Sequence, residues 1–459
     1  MPRLSRRSFL AASAALMARP ALAAKSAGED ADVIVIGAGA AGIAAARRLA
    51  AEKLRVVVFE ASDRIGGRCA TDTATFGVPF DLGAHWIHNP DVNPLIAGGP
   101  PPGLEVYAAP RWQSVRVGPR AARDAELETF LAAQVRTQRA LREPPKGKGD
   151  IAAARLMPND LGVWKGALDF MFGPYATSKD LADVSAIDLT RTVERTGEAF
   201  CRQGYGALLA KLAAGLNVKL STPVSMIAWG KSPVLETHES LWYPRAAILT
   251  ASTNALLGDD MEFIPPLPKT VRGWLGNLPL GSLDHIALDM PRNPLGLQKD
   301  DLVFEQATGN RTAALLANVS GTSLHVVSVG GSFGRDLSAK GEAAMLDFAT
   351  TWLSSAFDVD VKRYIRKAKA TRWNAQDFVL GAMSVAGPGH AEARKALAEP
   401  LGRVWLAGEA LHETQWGTVN GAWESGTRTA EAVLRYLSHG RREEPKARAK
   451  HQRKRRGGD

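Results

Sequence analysis

Two cysteines, Cys69 and Cys201, are all that 459 residues contain. That count excludes a disulfide framework, and the two read as unrelated buried thiols. No CxxC, HExxH or clustered His/Cys spacing marks a metal site. There is no GxSxG elbow for acyl transfer and no P-loop lysine for phosphoryl transfer. A membrane span is missing too: the apolar stretch running to Met17 is too short and too closely flanked by arginine. A basic folded body is the last absence. The net charge is +10, but residues 1–24 hold Arg3, Arg6, Arg7 and Arg19 with no acid. Residues 441–459 hold nine Lys or Arg against Glu443, Glu444 and Asp459, so residues 25–440 are formally neutral. The positive charge belongs to the two ends and does not make the body a specific nucleic-acid binder.

What remains is the profile of a globular α/β enzyme: 45% hydrophobic, 23% charged and 44 glycines, in a chain long enough for two domains. The first 24 residues read as an address. Ser5-Arg6-Arg7-Ser8-Phe9-Leu10 is a twin-arginine pattern, followed by an apolar stretch and by Ala21-Leu22-Ala23 as the cleavage site. The expectation is export to the periplasm or beyond by the twin-arginine machinery, which moves proteins already folded. The run Lys446 to Arg456 reads as part of a solvated, disordered basic tail over 441–459.

Past the leader, Asp32 to Ile36 is a continuous apolar run, as expected of a strand buried on both faces. Ile43 to Glu52 has helical spacing, and Arg55 to Phe59 is a second buried strand ending at Glu60. Between the first strand and the helix lies Gly37-Ala38-Gly39-Ala40-Ala41-Gly42, a GxGxxG turn. The first glycine allows the tight turn, the second lets backbone approach a pyrophosphate, and the third lets helix pack on strand. Phosphates then face unpaired N–H groups at the helix N-terminus, and Glu60 stands where a carboxylate receives an adenosine ribose. Further on, helices are expected over Arg120 to Arg142, Leu208 to Leu216 and Val419 to Leu437. Strands are expected over Val218 to Leu220, Met226 to Trp229, Ala246 to Thr250, Leu324 to Val329 and Val404 to Ala407.

The segment after Glu60 separates NAD from FAD. Asp63-Arg64-Ile65-Gly66-Gly67-Arg68 resembles the second glycine pair of the flavin amine oxidases, with Ala61, Arg64, Gly67 and Arg68 against the FAD pyrophosphate. Asp81 to His88 resembles the flavin-edge segment of polyamine oxidases and brings Gly83, Ala84, His85 and Trp86 to the cofactor. Thr222-Pro223-Val224 resembles the strand at the adenine. Ala407-Gly408-Glu409 and Gly417-Thr418-Val419-Asn420-Gly421-Ala422 resemble the C-terminal flavin clamp, whose acid takes a ribityl or phosphate-side contact. The resemblance implies FAD, held non-covalently because no cysteine stands near the clamp, and a GR2-type Rossmann-like domain over 29–96, 197–254 and 398–438. An α+β substrate domain over 97–196 and 255–397 is interleaved with it. Hydride transfer from a polyamine or other amine is implied, with O₂ or another carrier as acceptor and no requirement for a membrane or nucleic-acid partner.

Two departures bear on function. Aligned on Gly281, the lysine that relatives use to hold a water near the flavin falls at His285, with an ordinary pKa of about 6.5 against about 10.4. His285 and His85 are the candidate catalytic residues, His285 as water holder or base. The bland reading of His285 is a core histidine satisfied by a backbone carbonyl. The aromatic positions flanking the flavin fall at Met383 and Thr418, leaving Trp416 or Trp423 as possible replacements. His85, Met383, Trp416 and Thr418 form the expected substrate wall, and His88 is read as facing away. A flavin dehydrogenase or desaturase of an apolar substrate, or a flavin-bound protein with little turnover, are the alternative readings.

Overall fold

The computed structural model describes the backbone of residues 26–27, 31–110, 113–145, 147 and 149–456. It describes side chains in that range except at 26–27 and 439–456. The leader over 1–24 lies outside the described residues.

Val33–Ile36 carries four β-branched side chains, all buried, and stands at the centre of a parallel five-stranded sheet. Its neighbours are Val56–Phe59 and Ala246–Leu249, with Val218–Lys219 and Val404–Leu406 at the edges. A parallel sheet needs both faces covered. One face packs on the helices Ala40–Ala51 and Val419–Arg456 through Val33, Val35, Ala45, Leu49, Ile248 and Val433. The other packs through Ile34, Ile36, Val57 and Phe59 on Val224, Ile227, Leu235 and Trp242 of a second sheet. Those four residues lie on Val224–Ala228, Val234–Thr237 and Ser240–Trp242, which pair antiparallel in that order.

The second body is a seven-stranded sheet. Its order is Lys367–Ala370, Leu283–Asp289, Leu324–Gly330, Ala314–Leu316, Leu302–Glu305, Gln113–Val117, Arg120–Ala121. On Leu283–Asp289 the side-chain alternation is functional. Ile286 and Leu288 point into a core with the helices Gly331–Ala339 and Glu342–Phe357. His285 takes the opposite face, toward the cofactor body, with Ser328 directly across from it.

Several expected boundaries move. Arg120–Ala121 closes a hairpin on Arg116 and Val117, so the helix begins at Asp124, where the Arg123 amide donates to Glu126 Oε2 at 2.8 Å. Glu262–Ile264 adds a parallel strand beside Val224–Ala228, and Val106–Ala108 pairs with Glu198–Cys201. Both strands therefore join the cofactor side, although 97–196 and 255–397 are expected in the substrate domain. The terminal helix continues to Arg456, so the backbone of 441–456 is helical where a disordered tail is expected.

Candidate active site

A cavity of about 950 Å³ runs between the two bodies. It starts at the C-terminal ends of the parallel strands, at Ile36, Glu60 and Thr250, passes Val224 at the start of the second sheet, and reaches Tyr175, Leu302 and Phe304 of the substrate side. Ligands of open α/β sheets bind at such strand ends.

The glycines of the first turn divide their work. Gly37 has φ +106, and a Cβ there would stand 2.4 Å from Thr250 Oγ1. A Cβ on Gly42 would lie 1.8 Å from the Gly37 carbonyl oxygen, so Gly42 serves helix packing and does not line the cavity. At Gly39 a Cβ would meet no protein atom within 4 Å, although Gly39 lines the cavity. The protein itself has no need of a bare backbone there; a group approaching from the cavity does. Ala40 and Ala41, which open the first helix, line the cavity beside it. Thr418, Val419 and Ala422 bring the start of the terminal helix to the same space. These two N-termini stay close because Gly426 presses on Ala41, where a Cβ would meet the Ala41 oxygen at 2.0 Å. Two positive helix ends on one cavity suit an anionic, dinucleotide-sized ligand.

Glu60 accepts the Ala38 amide at 2.7 Å and the Ser62 amide and hydroxyl at 2.9 and 2.7 Å. Of roughly four acceptor sites on a carboxylate one remains, as a ribose hydroxyl requires. Arg64 donates to the Gly67 carbonyl at 2.9 Å and so shapes the second glycine pair. Gly66 and Gly67 both hold positive φ, and the Gly66 amide reaches the Ala38 carbonyl at 2.8 Å. Ala61 and Gly83 line the wall, as does Ala84, whose amide is held by the Arg68 carbonyl.

The clamp differs from expectation at Glu409. Its carboxylate receives Arg68 at 2.8 Å, the Ser384 amide at 3.1 Å, the Ser384 hydroxyl at 2.6 Å and the Gly417 amide at 2.8 Å. Four donors fill its acceptor sites, so Glu409 has no capacity left for a ribityl hydroxyl. It acts instead by orienting Arg68 and Gly417, both of which line the cavity. Burial pulls the Glu409 carboxyl up, but the Arg68 and Arg394 guanidiniums outweigh it and leave the group below the usual carboxylate range. Gly408, at φ +147 with nothing within 4 Å of a Cβ, lines the cavity beside it.

His85 and His285 have opposite circumstances. His85 Nδ1 lies 2.7 Å from Asp81 Oδ2. Asp81 is itself fixed by the Tyr205 amide at 2.9 Å and by Thr71. The ring packs on Phe200 at 4.4 Å and against Trp86. With a carboxylate as its acceptor, Nδ1 carries the proton of the neutral ring, so Nε2 presents a lone pair. That Nε2 is buried and has no protein partner among the described residues, on a side chain that lines the cavity.

His285 Nε2 lies 3.1 Å from the Gly83 carbonyl, which can only accept. Nδ1 therefore accepts from the Ser328 hydroxyl at 2.9 Å. Burial, aided by His85, holds its pKa down to about 4, against the Gly83 hydrogen bond that raises it. The ring is neutral with both nitrogens committed. The expected water holder or base is replaced by a tie between the substrate sheet and the flavin-edge loop, which is the bland reading.

The expected aromatic replacements also change. Trp416 is buried away from the cavity, its ring under Arg394 and its Nε1 toward the Asp188 carbonyl. Trp423 packs beside Tyr205 and Leu208 and does not line the cavity. Thr418 lines the cavity, but its hydroxyl caps the terminal helix, donating to the Gln415 carbonyl and accepting from the Gly421 amide. Met383 reaches the wall and packs on Gly417. Besides Phe59, Trp373 and Phe378, the aromatic surface of the cavity comes from Trp86, Phe172, Tyr175 and Phe304. Of these only Trp86 is visible in a motif; the others arrive through long-range packing. His88 also lines the cavity, pairing with Glu198 at 2.6 Å, where an outward face is expected. Its pKa is depressed by burial and then by Arg195, against Glu198.

Comparison with known proteins agrees with this geometry. The family model described as flavin containing amine oxidoreductase matches residues 113–434, and one for an NAD(P)-binding Rossmann-like domain matches 35–97. The chain is 25% identical over 453 residues to probable polyamine oxidase 4 of Arabidopsis thaliana, covering 88% of this chain and 87% of that one. It is 26% identical over 438 residues to lysine-specific histone demethylase 2 of Homo sapiens, covering 88% of this chain and 53% of that one. Among solved structures, cyclohexylamine oxidase from Brevibacterium oxydans superposes with a TM-score of 0.72 at 20% identity, over 89% of this chain and all of that one. Putrescine oxidase bound to putrescine gives 0.71 at 16%, over 88% and 99%. At such identity the superpositions show a shared fold.

Proposed function

The chain belongs to the flavin containing amine oxidoreductase family, and we propose that it oxidises a small di- or polyamine in the cavity between its two bodies, with His85 receiving the proton of the reacting nitrogen. It is an FAD-dependent amine oxidoreductase. When bound, FAD supplies the acceptor for the hydride that leaves the carbon beside the amine nitrogen. The residues that would hold it are those of the two glycine turns, Glu60, Arg68 and the two helix N-termini.

Hydride loss requires a nitrogen lone pair, and an amine at neutral pH arrives as ammonium. His85 Nε2 takes that proton in this reading, which is supported by the Asp81 contact at Nδ1 that holds the other nitrogen protonated and steadies the charged ring. Phe200 and Trp86 fix the ring plane. The wall of Trp86, Tyr175, Phe304 and Met383 is apolar, which lowers an ammonium pKa and excludes water during transfer. The imine product then hydrolyses in water. The observation that carries this reading is the buried Nε2 of His85, without a partner among the described residues.

Anaerobic addition of butylamine, putrescine or spermidine to the holoenzyme tests it. Loss of the oxidised-flavin absorbance with the di- and polyamine is expected, and no reduction by any amine overturns the proposal. Peroxide release in air then distinguishes O₂ from another carrier. We also propose that residues 1–24 direct the folded, loaded protein through the twin-arginine route to the periplasm, on the strength of Arg6-Arg7 and the apolar stretch after them. Replacing both arginines by lysine is expected to leave the protein in the cytoplasm; unchanged periplasmic delivery would refute the route.

A further inference from the structure

Behind the clamp lies a charge pair that the reaction does not use. Arg394 is fully buried and Asp188 is 1% exposed. The guanidinium spends all its donors internally. Nε and Nη2 grip the Asp188 carboxylate at 2.9 and 2.8 Å. Nη1 reaches the Ser384 hydroxyl at 3.1 Å and the Ala410 carbonyl at 2.9 Å, and Nη2 also reaches the Ser384 carbonyl at 3.2 Å. Its plane lies over Trp416, 4.8 Å from the ring centroid. Four separate stretches of chain thus meet at one side chain: Ala186–Thr190, Ser384, Glu409–Leu411 and Trp416.

A buried ion pair is a poor device for stability, since well-packed apolar residues of similar volume commonly do as well. Its output here is directional. The Ser384 hydroxyl accepts from Arg394 and donates to Glu409 Oε2 at 2.6 Å. With one lone pair occupied by a cationic donor, the hydroxyl proton is turned toward Glu409. Glu409 in turn holds Arg68 and the Gly417 amide, which face the cavity.

We infer that Asp188 and Arg394 are positioning residues for the cofactor, acting through Ser384 and Glu409 on Arg68 and the Gly417 amide. The inference rests on FAD as the ligand of this cavity.

The test compares the holoenzyme with Ser384→Ala and with the double variant Asp188→Leu/Arg394→Met, which removes both buried charges together. The readouts are the rate of FAD release, followed as recovered flavin fluorescence, and the flavin midpoint potential. Release faster by about tenfold or more is expected in both variants, the loss of one charge-assisted hydrogen bond. A shifted potential is expected with it. Adding Ser384→Ala to the double variant should cause no further change, because both lie on one line of action. Should the double variant fail to fold, Ser384→Ala decides, since it removes one hydroxyl from an intact core. Wild-type release rates and potential in Ser384→Ala would overturn the inference. A wild-type protein that carries no FAD would instead overturn the assignment of the ligand.

Discussion

Asp81 and His85 stand four residues apart, and their pairing makes the imidazole a proton acceptor rather than a mere lining group. Asp81→Asn should preserve the shape of the site while releasing the tautomer, and His85→Ala should remove the acceptor. Stopped-flow flavin reduction is expected to slow by about a hundredfold or more in His85→Ala and by less in Asp81→Asn. Rates equal to wild type in both would remove the dyad from the reaction. His285 makes a different prediction. A histidine whose folded pKa is depressed to about 4 stabilises the protein fully above its ordinary pKa of about 6.5. That contribution falls as pH drops through this window and is gone below it. Urea unfolding of wild type should therefore lose up to about 3 kcal/mol between these limits that His285→Gln does not lose. Identical pH dependence in the two proteins would assign the effect elsewhere. His285 could be located from sequence alone, but its state could not. Both its partners, Ser328 and the Gly83 carbonyl, come from other parts of the chain.

At the level of elements, the first turn shows why some of the site is legible in the sequence. Gly37, Gly39, Gly42 and Glu60 lie within one strand–helix–strand unit, so short-range stereochemistry is enough to assign them. The two later glycines should nevertheless respond differently to a single methyl group. Gly42→Ala drives a Cβ into the Gly37 carbonyl and should destabilise the fold itself, read as a lower melting temperature with or without cofactor. Gly39→Ala meets only open space and should leave the unloaded protein's melting point close to wild type while weakening FAD retention. A Gly39→Ala protein that keeps FAD as tightly as wild type would show that the pyrophosphate does not pass there. Arg394 is the opposite case. It sits in a short charged stretch, Glu392 to Lys395, and only the fold shows that it lies buried over the Trp416 ring. The strands Glu262–Ile264 and Val106–Ala108 were hidden for a similar reason: their partners are set by register, not by composition.

Across the whole molecule, the cavity is a seam. Its walls come from the parallel sheet, the flavin-edge loop and the seven-stranded sheet, so a bound cofactor bridges both bodies. Ligand that binds only the folded state adds about 2.7 kcal/mol at a hundred times its dissociation constant. Removing FAD should lower the melting temperature and expose the substrate body to proteolysis first, and restoring FAD should reverse both. Equal melting temperatures with and without FAD would mean that the bodies are held together by their own contacts.

The order of the five parallel strands has a consequence in time. The edge strand Val404–Leu406 and the helix that follows are made long after the glycine turn, yet the strand pairs with Ala246–Leu249 and the helix packs on Ala40–Ala51. The strand Val33–Ile36 gains Val56–Phe59 early and Ala246–Leu249 near mid-sequence, but its glycine turn still waits for the second helix N-terminus at Val419. The cofactor seat becomes whole only once the clamp is made, so a ribosome that stalls before Glu409 releases a protein with the GxGxxG turn and no clamp. Stable loading of the cofactor has then to wait until that clamp is made.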